Sequence, residues 1–191
     1  MLLWLFAAKF KTLTSNRLGE SDRPKCMIFD DTILSKTGKN IEKVSRVFDH
    51  VTQRYVLGFK LLLMGYWDGV SFIPLDFSIH RERGQNKDKP FGLKKKELKK
   101  QYKTNRQSGS FSDERAEEAD MSKIECAIKM FRRAISQGFM VDYVLMDSWF
   151  TCEAFVNAVL SVKKHTVNLI GMYKIPTTKF EYNNGRYTHK Q

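Results

Sequence analysis

The stretch VLMDSWFT, residues 144–151, runs three apolar residues straight into an acid, Asp147, followed at once by Trp149 and Phe150. A buried strand has no use for a carboxylate at its end unless something cationic meets it there. Far upstream the chain repeats the pattern. CMIFDDT, residues 26–32, ends an apolar run at Asp30 and Asp31. The fold turns on whether these two strand ends come together.

Working outward, the order of elements says that they do. An opening helix carries Leu2, Leu5, Phe6, Phe10 and Leu13 at helical spacing. After a polar break at residues 20–24, KCMIFDD reads as a buried strand and TILSKTGKN as a loop. RYVLGFKLLLMGY and VSFIPLDFSI are two β-rich runs joined at Trp67, Asp68 and Gly69, an Asp-Gly hairpin signal. Met121, Ile124, Ile128, Phe131 and Ile135 mark one face of a helix, and Gly138 stands where its C-terminal cap is expected. VDYVLMD is the next strand, CEAFVNAVLSVKK a helix, and TVNLIGMY a further strand. KFEYNNGRYTHK turns at Asn183, Asn184 and Gly185 and reads as a hairpin. Three meandering strands followed by α/β crossovers give a mixed sheet with flanking helices, the order of the ribonuclease-H-like fold. In that order the first and fourth strands are parallel neighbours, and Asp30 and Asp147 arrive at the same end.

Two adjacent carboxylates repel, and one takes up a proton unless a cation neutralises both. Hard oxygen ligands suit Mg²⁺ or Mn²⁺, which can activate a nucleophile and steady a leaving oxygen. The residues leave a second reading open. Asp147 also stands where it could cap the helix that follows, and Asp31 and Thr32 could simply shape a turn.

Composition narrows the partner. The chain of 191 residues, with 33 Lys and Arg against 21 Asp and Glu, carries a formal charge of +12. Such an excess favours a polyanion. Residues 81–106 hold 11 of the basic residues and three acids. This tract suits phosphate contacts, with a mobile solvated loop as the alternative. The candidate contacts are Arg81, Arg83, Lys94, Lys95, Lys96, Lys99 and Lys100. Lys36 and Lys39 follow the first acid and are better placed to touch DNA at the site. SKTGKN lacks the glycine and hydroxyl pattern of a phosphate-binding loop. Cys26, Cys126 and Cys152 form no Cys-x-x-Cys pair, which argues against a disulfide framework or zinc site and for a reducing cytosol. MLLWLFAAKF has no basic residue ahead of its apolar run and is interrupted by Lys9, so neither an export signal nor a membrane span is expected. The four histidines show no ligand spacing. Trp149 and Phe150 are assigned to packing beside the site rather than to stacking on a base.

MIFDDTILSKTGKNIE, HVTQRYVLGFKLLLMGYWDG, PLDFSIHRERG and YVLMDSWFT, in this order from about residue 25 onward, resemble the catalytic domain of bacterial insertion-sequence transposases. The branch is the DDE group whose Glu lies beyond a β-rich insertion. The resemblance implies a ribonuclease-H-like fold, two Mg²⁺ (or Mn²⁺) ions, and an Asp, Asp, Glu triad that cleaves transposon ends and joins them to target DNA. Asp30 matches the first acid and Asp147 the second. Asp31 is the weaker claimant, since it faces the other side of the strand. No stretch fits the Tyr-x2-Arg-x3-Glu-x6-Lys pattern that carries the family's Glu, and Glu181 falls in a strand and turn. The expected organisation is therefore residues 1–24 as helix and linker, 25–173 as a partial ribonuclease-H-like core, and 174–191 as the start of the β-rich insertion. The implied protein is a bacterial, cytoplasmic, DNA-associated enzyme, possible as a homodimer at full length, of which this chain is a fragment. Its alternatives are a nuclease that cuts without joining and an inactive DNA-binding remnant.

Overall fold

A computed structural model describes residues 2–18, 23–162, 166–172, 180–183 and 185–187. Most of the polar break at 20–24, the segment 173–179, His165 and His189 lie outside the described residues.

Strand β1 (Cys26–Ser35) is central. It pairs antiparallel with β3 (Arg54–Trp67) on one side and parallel with β5 (Tyr143–Met146) on the other. β2 (Ser45–Asp49) and β4 (Phe72–His80) share the far edge of β3, and β6 (Asn168–Gly171) runs parallel to β5. This is the mixed sheet expected of the ribonuclease-H-like order, with β1 and β5 as parallel neighbours. The β3–β4 hairpin closes as its Asp-Gly predicts. Asp68 accepts hydrogen bonds from the amides of Val70 and Ser71, and Gly69 takes φ +96°, a region that glycine enters without steric cost. β7 (Phe180–Tyr182) and β8 (Gly185–Tyr187) form the second expected hairpin.

Alternation decides which face is buried. Met27 and Phe29 of β1, Leu62, Met64 and Tyr66 of β3, and Val144 and Met146 of β5 all point to one side. There they meet α4 (Lys123–Ser136) and α5 (Glu153–Leu160) through Ala127, Met130, Phe131, Phe155 and Val159. The Phe29 and Phe155 rings meet edge to face at 5.1 Å, an arrangement worth roughly 0.5–1.5 kcal/mol beyond its buried area. α4 starts where a capping box starts it. Ser122 accepts from the Glu125 amide at 3.1 Å and Glu125 from the Ser122 amide at 3.2 Å. It stops at Gly138, with φ +81°.

The structure departs from the sequence expectations in three places. The opening helix α1 (Leu2–Leu18) forms, but Leu5, Phe6 and Leu13 are exposed, while Ala7 is buried and Trp4 and Phe10 pack on the core. Its apolar residues surround much of the helix, so periodicity does not choose a face. The edge-to-face contact of Trp4 with Phe139 at 5.5 Å does. Second, TILS continues β1 instead of opening a loop, and SRVFD adds an unforeseen strand, because long β3 offers its edge to both β2 and β4. Third, residues 81–106, for which a loose loop is the alternative, and the residues that follow them to 118 carry short regular elements. They hold a 3-10 turn (Pro90–Gly92), the short helix α2 (Lys95–Leu98) and α3 (Phe111–Glu118).

Candidate active site

β1 and β5 run in register with Phe29 beside Met146, so the next position on each is Asp30 and Asp147. Phe29 and Met146 both face the helices. By alternation the two acids belong to the other face, at the same end of neighbouring parallel strands. β5 stops there because the chain turns. The Asp147 carbonyl accepts the Phe150 amide at 3.0 Å and the Thr151 hydroxyl at 3.2 Å. The Asp147 carboxylate is not the cap of the following helix, whose N-cap position is Cys152 without a side-chain cap bond.

β1 continues six residues beyond Phe29, past the end of β5, and this mismatch in length leaves a notch. A cleft of about 630 Å³ occupies it, with Asp30, Asp31, Asp147, Asp49 and Glu82 in its wall together with Lys60, Lys123, His50 and Trp149. Three of the five acids are already engaged. Asp31 forms an ion pair with Lys123 at 2.7 Å. Asp49 accepts from the Thr52 hydroxyl at 2.7 Å and the Val51 amide at 2.9 Å, and these bonds hold its carboxyl below the ordinary range. Glu82 accepts the Phe48 amide at 2.7 Å and lies 4.0 Å from the buried Lys60 ammonium. Asp30 and Asp147 differ. Among the described residues each accepts only the amide of the residue that follows it, Asp31 or Ser148, and neither meets a cation.

The cleft also gathers residues that the sequence did not single out. His50 arrives on the β2–β3 turn, its ring 5.2 Å from that of Trp149, which is itself 53% exposed. Lys123 comes from the first turn of α4, Lys60 from β3, and Glu82 from just beyond the end of β4. None carries a local signal, because each is brought in by sheet topology. Trp149 thus lines the cleft, while Phe150 is buried in the core as expected.

The basic residues divide into two groups. Lys94, Lys95, Lys96, Lys99 and Lys100 are exposed, as are Lys36 and Arg83. Lys39 is held by Glu97 at 2.8 Å, and Arg81 by Asp120, with its guanidinium 3.9 Å from the centre of the Phe91 ring. The segment is therefore not the mobile loop of the alternative reading. Leu93 is buried with Val44 and Phe59, and Leu34 and Leu98 pack beside them. Tyr102 and Gln101 donate to the carbonyls of Asn40 and Val44, and Arg106 grips Glu42 through two bonds of 2.6 and 2.7 Å. Leu34 pairs directly with Phe59, and positions 30, 32 and 34 share one face of β1. The lysine-bearing segment is thus seated on the face of the sheet that presents Asp30.

The Arg106 clamp gives a pH signature. Its hydrogen bonds hold the Glu42 carboxyl down at about 2. A carboxyl depressed by folding stabilises fully above its unfolded value of about 4.3 and loses that contribution as pH falls through the folded value. The stability difference between the protein and its Arg106→Gln variant should be constant above about pH 5, shrink from about pH 4 downward, and vanish only below about pH 2. Denaturant melts across that range measure it.

Among the described residues no group of three or more His, Cys, Asp or Glu is placed to hold a metal ion, and no helix is long and apolar enough to cross a membrane. Glu181 lies on β7, exposed, with its carboxylate on Arg186 at 3.0 Å. The family model for the DDE superfamily endonuclease matches residues 7–170. No curated protein and no solved structure matches the chain significantly.

Proposed function

Because the chain belongs to the DDE superfamily endonucleases, enzymes that cleave nucleic acid, we propose that it is a DNA transposase of the DDE type in which Asp30 and Asp147 share a divalent metal. The observation that carries this reading is the contrast among the acids of the cleft. Asp31 and Glu82 are held by cations or donors from distant parts of the chain and Asp49 by two donors of its own turn, whereas Asp30 and Asp147, at neighbouring strand ends, each accept only the next residue's amide and meet no cation among the described residues. Such a pair is costly unless a cation joins it. Its all-oxygen donor set fits Mg²⁺ or Mn²⁺. When bound, the metal supplies charge neutralisation at the phosphodiester and lowers the pKa of an attacking water or hydroxyl.

The chain's own residues do the rest. Exposed Lys94, Lys95, Lys96, Lys99 and Lys100, with Lys36 and Arg83, contact backbone phosphates on the face that presents Asp30, and Lys39 completes that edge. Such contacts fix register without reading sequence. We assign the third carboxylate of the site to none of the described acids. Glu181 is ion-paired on a hairpin, and the described residues offer no third ligand beside the pair. That shortfall supports the second reading, in which the chain alone binds DNA without cutting it.

Plasmid nicking tests the proposal. Residues 1–191 with Mg²⁺ or Mn²⁺ should cleave barely or not at all, and extension by the downstream coding segment should restore metal-dependent nicking and joining. Robust cleavage by residues 1–191 alone would show that the third ligand has been misplaced. Nicking without joining by the extended protein would favour the nuclease.

DNA binding by the 191-residue protein should be independent of sequence and steeply salt-dependent. Each phosphate contact contributes about −0.9 to the slope of log K against log salt. Replacing the five lysines of the 94–100 segment by Gln should flatten that slope by roughly 4 to 5, as read by fluorescence anisotropy. An unchanged slope would leave them a solvated surface.

A further inference from the structure

The sequence places two chemically identical acids next to each other, and only one can serve the metal. We propose that Lys123 is the positioning residue that makes this choice, by occupying Asp31 and leaving Asp30 to pair with Asp147. The inference rests on the metal reading above and adds to it the device that selects the ligand.

Asp30 and Asp31 both line the cleft, from opposite faces of β1. The Lys123 ammonium lies 2.7 Å from Asp31 Oδ2, and the two side chains are only 28% and 15% exposed. Shielding of this degree makes the pair harder to exchange for solvent or a bound cation than one on an open surface. Lys123 is fixed from its own side too. It is the first residue of α4, inside the Ser122–Glu125 capping box, and its ammonium stands 5.8 and 5.9 Å from the centres of the Phe150 and Trp149 rings. Anchoring Asp31 also reaches its neighbour, because the Asp31 amide donates to Asp30 Oδ1 at 2.8 Å and so orients that carboxylate. Without the lysine, the Asp31 carboxylate would stand unpaired in the same cleft, one residue from Asp30.

The test is a Mn²⁺ titration of the 191-residue protein followed by electron paramagnetic resonance, with thermal melts to confirm folding. A unit charge a few ångströms from a divalent ion in a wet cleft is worth about five- to tenfold in affinity. Lys123→Met frees Asp31 and should tighten Mn²⁺ by about that factor. Asp31→Asn leaves the lysine unpaired and should weaken it by a similar factor. The double variant Asp31→Asn with Lys123→Met should return to within about twofold of wild type, and Lys123→Arg should match wild type. Most tellingly, Asp30→Asn should lose Mn²⁺ and Asp30→Asn with Lys123→Met should regain it through Asp31. If Asp30→Asn binds Mn²⁺ as wild type does, the metal reading is wrong and the proposal falls with it. If Asp30→Asn loses Mn²⁺ while Lys123→Met leaves both wild type and that variant unchanged, the metal reading stands and the proposal alone is overturned. A purely structural ion pair would shift the melts and leave the affinities in place.

Discussion

Asp30→Asn and Asp147→Asn should each abolish metal-dependent strand cleavage by the extended protein while leaving its affinity for DNA within about twofold. Amide replaces carboxylate at nearly the same volume, so packing is kept and only the anionic ligand is lost. A bound divalent ion supplies several kcal/mol of stabilisation to the transition state, and about 1.4 kcal/mol is tenfold in rate. The expected loss is therefore at least about 10³-fold for either substitution. Residues that act as one unit are not additive, so the double variant should be no slower than the worse single one. DNA affinity is spared because the phosphate contacts lie on the lysine segment. Nicking rates alongside anisotropy on the same preparations separate the two effects. A parallel fall in affinity would mean that the acids hold the fold or the DNA rather than the chemistry.

Asp76→Ala should be strongly destabilising, and it lies away from the cleft. Asp76 of β4 is 1% exposed, paired with Arg115 at 2.6 Å and Arg133 at 2.8 Å. The second contact lacks hydrogen-bond alignment, so it acts as a charge pair. Glu118, also buried, meets Arg115 at 2.9 Å and Arg133 at 3.9 Å. The cluster fastens α3 and α4 to β4 beside the bulge at Met64 and Gly65. Removing Asp76 leaves two guanidinium groups facing one carboxylate, and an uncompensated buried charge costs about 3–5 kcal/mol. At about 2–4 °C per kcal/mol for a chain of this size, Tm should fall by roughly 10 °C. Asp30→Ala should move Tm little or raise it, because it relieves an unpaired acid next to another. A melt series over both positions distinguishes an acid that holds the fold from one the fold must tolerate.

What could be read from the sequence follows from how local each signal is. The strand-end acids were legible because apolar runs stop abruptly at Asp30 and Asp147. The β3–β4 turn was legible from Asp68 and Gly69, and α4 from its strict three-four spacing. The parallel pairing of β1 and β5 followed from the order of elements alone. SRVFD was not legible as a strand, since Arg46 and Asp49 disguise a five-residue run whose place is set by β3. The lysine-rich segment hid its fold because Leu93 and Leu98, the two residues that seat it, are isolated among charges. The face of α1 was misread because Leu5 and Phe6 are as apolar as Trp4 and Ala7. The state of each acid in the cleft was beyond any local reading. Asp31 meets a lysine 92 residues away, and Glu82 is held from β2 and β3. Only the assembled sheet separates the engaged acids from the two that remain.

The most direct measurement is anomalous diffraction from crystals of the 191-residue protein soaked in Mn²⁺. A single strong peak within bonding distance of both the Asp30 and the Asp147 carboxylates is the expected result. A peak at Asp31, or none beside the pair at saturating Mn²⁺, would contradict the shared-metal site.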